Sequence, residues 1–363
     1  MAVPYRFVPP LNGGHKAAYG FCTFLAKERP FVCLSTDNNA SENAPFRLLP
    51  LFRDKLYKYI SPLVAWRCFR ALKQEQAVVC ITFQPFIAPL LLPVARWLGI
   101  PLHIYIQNLE YRRFRSMGRW FWPVLFGLEW LSFRLAQQLY FISPDDLPPA
   151  IRAFGIAAKK CSVVPYGTPH QQPPDDVTEA RRAIREQHGF GEAEFLIIFF
   201  GPQSYQPNLE AVELIIHQLN PLLLEKAAFP YRFLICGGGL PKRYQGLASY
   251  PNVEYLGFVE DIEAYVKAAD VMINPVNTGG GVKTKLIEAI ALGKTVVSSR
   301  TGALGVRAEA CGPQLVVVDD EDYEGYCSAL LRLQAAPATT TPPAFYKTYY
   351  WGNIIREMLG DKF

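Results

Sequence analysis

The chain has 363 residues, more than the roughly 250 to 300 at which a single hydrophobic core stops growing, so two domains are expected. Half of the residues are hydrophobic and 19% are charged, which excludes a disordered or fibrous chain; the net charge of +5, with no long basic run, gives no sign of a nucleic-acid partner. The eight cysteines are scattered without a CxxC pair, and several lie in apolar, strand-like runs, so buried reduced thiols are expected instead of disulfides or a zinc site.

The N-terminal stretch "MAVPYRFVPPLNGGH" lacks the basic start and unbroken apolar core of a signal peptide, which predicts a cytoplasmic location, at most at the inner face of a membrane. No transmembrane segment is expected. The longest apolar runs are broken by Pro93, Arg96 and His103, or by Pro123, Glu129 and Arg134, short of the ~20 residues a spanning helix needs.

In chain order, strands are predicted at "YRFVPP", "FVCLST", "AVVCITF", "LHIYIQ", "LYFISP" and "CSVVPYG", separated by amphipathic stretches such as "HKAAYGFCTFLAKE" and "RDKLYKYISPLVAWRCFRALKQE". That alternation predicts βαβ units and a parallel sheet. A polar, proline-bearing stretch at 167–194 reads as the connection between domains. A second series follows, with strands at "FLIIFFG", "YRFLICGGG", "NVEYLGFV", "VMINPV", "TVVSSR" and "QLVVVDD" and helices near 207–219, 260–269, 284–292 and 321–334. The tail "AAPATTTPPAFYKTYYWGNIIREMLG" reads as a Pro/Thr spacer and an aromatic helix able to pack back on the first domain. The domain boundaries expected are 1–180, 181–335 and 336–363.

The stretch "VMINPVNTGGGVKTKLIEAIALG" runs from a buried strand through Gly279, Gly280 and Gly281 into a helix starting near Thr284 and ending at Gly293. Ligands of parallel sheets sit at the carboxyl ends of strands, where loops turn into helices. The glycines let the backbone approach a ligand, and Lys283 and Lys285 add charge beside a helix N-terminus that already favours anions. Glu288, three residues after Lys285 on the same helical face, is placed to accept hydrogen bonds from vicinal hydroxyls. The competing reading is a plain loop and a solvated Lys285–Glu288 pair worth ~0.2–0.5 kcal/mol.

The pattern Gly-x-Gly-Val-Lys-x-Lys-x-x-Glu-Ala, followed by Ala-Leu-Gly-Lys-x-Val-Val-Ser, resembles the donor-site signature of family 4 (group 1) glycosyltransferases. The resemblance extends to "PPLNGGH" and to "NVEYLGFVEDIEAYVKAADVMINP", and covers the chain densely from 195 to 300 and thinly before 100. It implies a GT-B fold, α/β, with two Rossmann-like domains whose parallel sheets face across a cleft. It also implies transfer of a sugar from a nucleotide-sugar donor to a hydroxyl acceptor, a glycan or lipid-linked intermediate, with retained anomeric configuration and no cofactor or metal.

Position by position, the resemblance implies that Glu288 binds the ribose, that Lys285 lies near the donor diphosphate and acts in catalysis, and that Gly13 and Gly14 form a first loop near phosphates and acceptor. Gly237, Gly238 and Gly239 match a loop flanking the base, and Gly279 to Val282 with Lys283 complete the donor loop. Three positions depart from the pattern. Gly280 stands where many relatives carry a sugar-contacting glutamate. The segment "FFGPQSYQPNLEA" lacks the usual Arg and Lys and offers Ser204, Tyr205 and Asn208, leaving Lys283 to supply charge. Gln107 replaces a histidine in "YIQNLEYRRF" and, being an amide, excludes acid–base work there.

Gln107 and Asn108 remain candidates for hydrogen bonds to sugar hydroxyls. Glu110 is the nearest titratable group for acid–base catalysis, or else a partner of Arg112 or Arg113. His15 either reaches the acceptor or starts the first helix in solvent. His103 reads as a satisfied interior histidine, and His170, His188 and His217 receive no role. No Asp, His or Cys cluster has metal-ligand spacing. The segment "RRFRSMGRWFWPVLFGLEWLSFRLAQQ" joins arginines to aromatics, as peripheral membrane contact or as an ordinary packed helix. Two other readings stay open: a GT-B nucleotide-sugar epimerase, and a non-catalytic nucleotide-sugar-binding protein.

Overall fold

A computed structural model describes residues 1–244, 249–336 and 339–360, and backbone contacts divide the chain into two units. Unit 1 holds Met1–Pro169, Gly280–Val282 and the C-terminal helix Trp351–Gly360; unit 2 holds His170–Gly279 and Lys283–Tyr350. The division falls between 169 and 170, ahead of the 180/181 boundary expected from sequence.

In unit 1 the strands are β1 (Ala2–Val3), β2 (Val32–Thr36), β3 (Arg47–Phe52), β4 (Cys80–Phe83), β5 (Leu102–Ile106), β6 (Gln138–Phe141) and β7 (Cys161–Val163). They form one parallel sheet in the order β3-β2-β1-β4-β5-β6-β7. The central strands β4, β5 and β6 are buried at every residue, because helices cover both faces, and this explains their continuous apolar runs.

Two expectations for this sheet are corrected. "YRFVPP" is not a strand: β1 is Ala2–Val3, and Pro4 and Pro9 confine the ladder to its start. The loop that follows is anchored instead, with the Phe7 and Val8 N–H groups donating to Asn39 Oδ1 at 2.8 and 2.9 Å. β3 went unpredicted because Pro50 interrupts it, and it sits at the sheet edge, where a strand tolerates a missing donor.

Unit 2 contains β8 (Phe195–Phe200), β9 (Tyr231–Cys236), β10 (Val253–Gly257), β11 (Val271–Asn274), β12 (Thr295–Ser299) and β13 (Leu315–Val318). All pair parallel in the order β10-β9-β8-β11-β12-β13. The six strand positions read from the sequence all stand. The helix expected at 207–219 runs further, through a wider π turn at Ile215–Leu219, to Lys226. Pro221, which has no N–H to donate, enters just after that turn.

The stretch 167–194 is more than a connection. Val177–His188 is a helix of unit 2, held by Arg181 and Arg185 to Asp270 at 2.7 and 3.2 Å. The C-terminal segment also divides. Pro343–Tyr349 is a helix of unit 2 in which the Tyr346 hydroxyl donates to the Ala291 carbonyl at 2.9 Å. Helix Trp351–Gly360 packs on helix Gly13–Glu28 of unit 1, with Trp351 buried between Phe21 and Tyr166 and its N–H donating to the Thr168 carbonyl at 3.0 Å. Residues 337–338 and 361–363 of the expected tail lie outside the described residues. All eight cysteines are free thiols, and only Cys161 is less than fully buried.

Candidate functional site

The chain leaves β8 for β9 on one side and reaches β11 on the other, so β8 and β11 flank the switch point of the unit 2 sheet. Outside the carboxyl ends of such strands, loops diverge and leave a crevice for a ligand. The loops arriving there are 201–205 after β8, 237–239 after β9, and the glycine-rich loop after β11.

Close backbone approach explains the glycines of these loops. Gly237 has φ +135°, and a Cβ there would collide with the Gly201 carbonyl oxygen. Gln203 ties the first two loops together: its N–H donates to the Gly238 carbonyl at 2.8 Å, and its side-chain amide to the Gly201 carbonyl at 2.7 Å. Gly279, φ +83°, passes so near Tyr205 that a Cβ would lie 2.8 Å from the hydroxyl oxygen.

Helix Thr284–Ala291 follows, with Lys283 as its cap. The Lys285 ammonium donates to Asn208 Oδ1 at 2.9 Å and lies 4.2 Å from the centroid of the Phe199 ring. A cation over an aromatic face contributes about 0.5–2 kcal/mol, depending on desolvation. Asn208 is oriented by donating its amide to the Pro202 carbonyl at 2.9 Å. Lys283 is buried, and its ammonium donates to the Gly279 carbonyl at 3.3 Å. Burial, with Lys283 adding repulsion and Glu288 opposing, pushes Lys285 down to about 7; burial alone pushes Lys283 down to about 8. Two ammonium groups held against desolvation favour an anion that restores their charge.

Within unit 2 the structure therefore gathers Gly237, Gly238, Gly279, Lys283 and Ser204 on loops at one end of the sheet, with Asn208 and Lys285 in the first turns of the helices that follow and Glu288 one turn further along the second. Gly280, Gly281 and Val282 group with unit 1. Phe199 and Gln203 escaped the sequence reading. Phe199 is an ordinary member of an apolar strand until Lys285 is seen over it, and Gln203 carries only the weak signal of a polar residue in a loop after β8.

In unit 1, β1 and β4 flank the corresponding switch point. Gly13 and Gly14 open helix Gly13–Glu28, whose Asn12 cap accepts from the His15 N–H at 3.0 Å. Gln107, just past β5, donates to the Gly14 carbonyl at 3.1 Å, and Gln84, just past β4, donates to Glu110 Oε1 at 3.1 Å. His15 is partly exposed and stacks with Tyr5, and burial followed by the charge of Arg6 lowers its pKa.

Glu110 is 2% exposed, and both its oxygens are engaged: Oε2 pairs with Arg113 at 2.6 Å, while Oε1 accepts from Gln84 and, at 3.5 Å, from Asn108. Of the two readings offered by the sequence, the pairing with Arg113 is the one seen, and Glu110 is held in place by it. Glu129 supports it from below by accepting the Glu110 and Tyr111 N–H groups at 2.7 and 3.2 Å. His103 is an interior histidine, with Nδ1 3.1 Å from the Tyr140 hydroxyl.

Residues 194–335 match the model of the family described as glycosyl transferases, group 1. No curated protein matches the chain in sequence. Among solved structures, Anabaena HepE in complex with UDP and glucose is similar over 99% of both chains, at 14% identity and TM-score 0.72. Sucrose-phosphate synthase from Thermosynechococcus elongatus is similar over 99% of this chain and 94% of its own, at 16% identity and TM-score 0.68. WaaG, a glycosyltransferase involved in lipopolysaccharide biosynthesis, is similar over 100% and 96%, at 14% identity and TM-score 0.67.

Proposed function

From a GT-B fold that carries a group 1 glycosyltransferase domain at residues 194–335, we infer that the chain transfers a sugar from a nucleotide-sugar donor to a hydroxyl acceptor. The observation that supports this reading most is the buried Lys283 and the half-buried Lys285 side by side at the β8/β11 switch point, with Lys285 aligned by Asn208 and Phe199.

A donor diphosphate set against Lys283 and Lys285 keeps both protonated, and the same charges stabilise it as it departs with the negative charge of the broken glycosidic bond. Glu288, one helical turn on from Lys285, accepts hydrogen bonds from the ribose hydroxyls. The role is electrostatic, so the lysines replace a resident metal in this proposal, and EDTA is expected to leave transfer unchanged. The acceptor hydroxyl attacks the anomeric carbon from the face that the leaving group vacates, its proton passes to the departing diphosphate oxygen, and configuration is retained. Gly280 supplies no side chain, so the sugar is left to backbone amides. A glycan or lipid-linked acceptor is the class proposed, and UDP-sugars are the first donors to test, since HepE is solved with UDP and glucose.

The test is incubation of each nucleotide-sugar with and without a glycan acceptor, followed by chromatography of the nucleotide. Acceptor-dependent release of nucleoside diphosphate is expected. Conversion of the donor without acceptor assigns an epimerase instead, and tight binding without turnover on any acceptor assigns a non-catalytic binding protein.

A further inference from the structure

We propose that the outer face of one helical layer of unit 1 docks on an anionic lipid surface. The inference stands on unit 1 alone and is independent of the donor reading. Helices Pro62–Gln74, Ala88–Leu98 and Trp122–Leu135 share one core: Val64, Cys68, Leu91, Val94, Ala95 and Phe133 pack in the same cluster beneath them. Their opposite sides therefore form one surface.

That surface is apolar where soluble proteins are polar. Trp66 is 52% exposed on the first helix, Trp97 78% on the second and Trp130 41% on the third, while Trp120, just before the third, is 85% exposed. Leu63 and Val124 add to it. The rings of Trp66, Phe69 and Trp97 run in sequence, with centroids 5.5 and 5.2 Å apart, so the apolar surface is continuous across two helices. Contiguous apolar patches beyond about a few hundred Å² are rare on soluble monomers and mark a covered surface.

Charge identifies the cover. Arg67, Arg70 and Arg96 flank the first two tryptophans, and Arg115, Arg119 and Arg134 flank the others; all six are exposed. The only carboxylates in these helices and the adjoining Glu110–Ser116 are Glu110 and Glu129, both buried. The exposed residues of these helices are thus cationic and aromatic, with no exposed acid among them. Arg134 and Arg115 lie 4.9 and 5.1 Å from the rings of Trp130 and Trp122, which lets each arginine reach phosphate while its indole stays at headgroup depth. A second copy of the same face would bring arginines against arginines, whereas an anionic bilayer complements both features. Among the described residues no helix is long and apolar enough to cross a membrane, so contact is along the surface.

The test is co-sedimentation with large vesicles of phosphatidylcholine alone or mixed with phosphatidylglycerol, at low and high salt, alongside gel filtration. The wild type is expected to partition at least about tenfold more strongly onto the anionic vesicles, with binding weakened by salt. The triple variant Trp66→Gln, Trp97→Gln, Trp130→Gln is expected to lose about tenfold in partitioning while keeping the wild-type melting temperature and nucleotide affinity. A wild type that stays in the supernatant with anionic vesicles overturns the proposal. So does equal binding by wild type and triple variant, or a wild-type dimer that the triple variant converts to monomer, which assigns the face to a second copy.

Discussion

Lys285 titrates near neutrality because burial and the charge of Lys283 oppose its protonation more than Glu288 supports it. A diphosphate reverses that balance. Affinity for a nucleoside diphosphate is therefore expected to fall as pH rises from about 6 to about 9, and Lys285→Met to bind about 10–100-fold more weakly and to keep only the part of the pH dependence that Lys283, near 8, supplies. The sign for folding is the opposite. The native pKa of about 7 lies below the ordinary 10.5, so between these values the unfolded chain binds more protons and stability rises with pH. Lys285→Met is accordingly expected to melt higher than wild type when ligand-free at neutral pH, yet to gain little from added nucleotide. Thermal denaturation with and without nucleotide reads both effects.

Much of this site was legible at the same scale. Three glycines, two lysines and a glutamate at helical spacing point to an anion-binding loop, with a plain loop and a solvated Lys285–Glu288 pair as the alternative. Phe199 and Gln203 were not legible, since their roles exist only once separate strands bring their loops together. Glu110 was legible as a titratable group with Arg112 or Arg113 as its alternative partner, but nothing in "YIQNLEYRRF" shows that Gln84 also meets its carboxylate inside the fold.

Among elements, the C-terminal helix and the helix Glu110–Ser116 make the sharpest predictions. A Cβ on Gly20 or Gly167 would meet the Trp351 indole, so the helix Trp351–Gly360 is seated by two glycines. Gly20→Ala is expected to cost about 1–3 kcal/mol and Trp351→Ala about 3–5 kcal/mol in chemical denaturation. In the Trp351→Ala background the Gly20→Ala cost is expected to vanish, whereas additive costs would deny the contact.

Glu129 caps the Glu110 helix, and burial raises its carboxyl from 4.5 to about 8. A raised native pKa means the folded protein binds more protons, so this group's contribution is present at low pH and is lost as pH climbs toward 8. Glu129→Gln is therefore expected to fall near wild type at about pH 4 and to exceed it increasingly from about pH 5 to about pH 9. A variant less stable at both ends of that range would remove the assignment. Element positions were largely readable from the alternation of apolar runs and amphipathic stretches; the failures were specific. Pro50 hid an edge strand, Pro4 and Pro9 cut short the first one, and the helix Val177–His188 was taken for a linker because its ion pairs to Asp270 lie far along the chain.

For the whole molecule, length gave two domains and the alternation gave two parallel sheets, but the division at 169/170 and the return of the last helix to unit 1 depend on contacts between residues distant in sequence. The arrangement gives each sheet its own switch point. The unit 2 switch point carries the lysines and the family match, and the unit 1 switch point carries amides around Gly14. The central claim is that unit 2 holds a nucleotide-sugar by its diphosphate and ribose. Calorimetric titration of UDP and its sugars into wild type, Lys285→Met and Glu288→Gln tests it most directly. The account predicts saturable binding by wild type, at least about tenfold weaker binding by each variant, and selective loss of the preference for ribose over deoxyribose nucleotides in Glu288→Gln. Unchanged affinity in both variants, or no binding of any nucleotide-sugar by wild type, would contradict it.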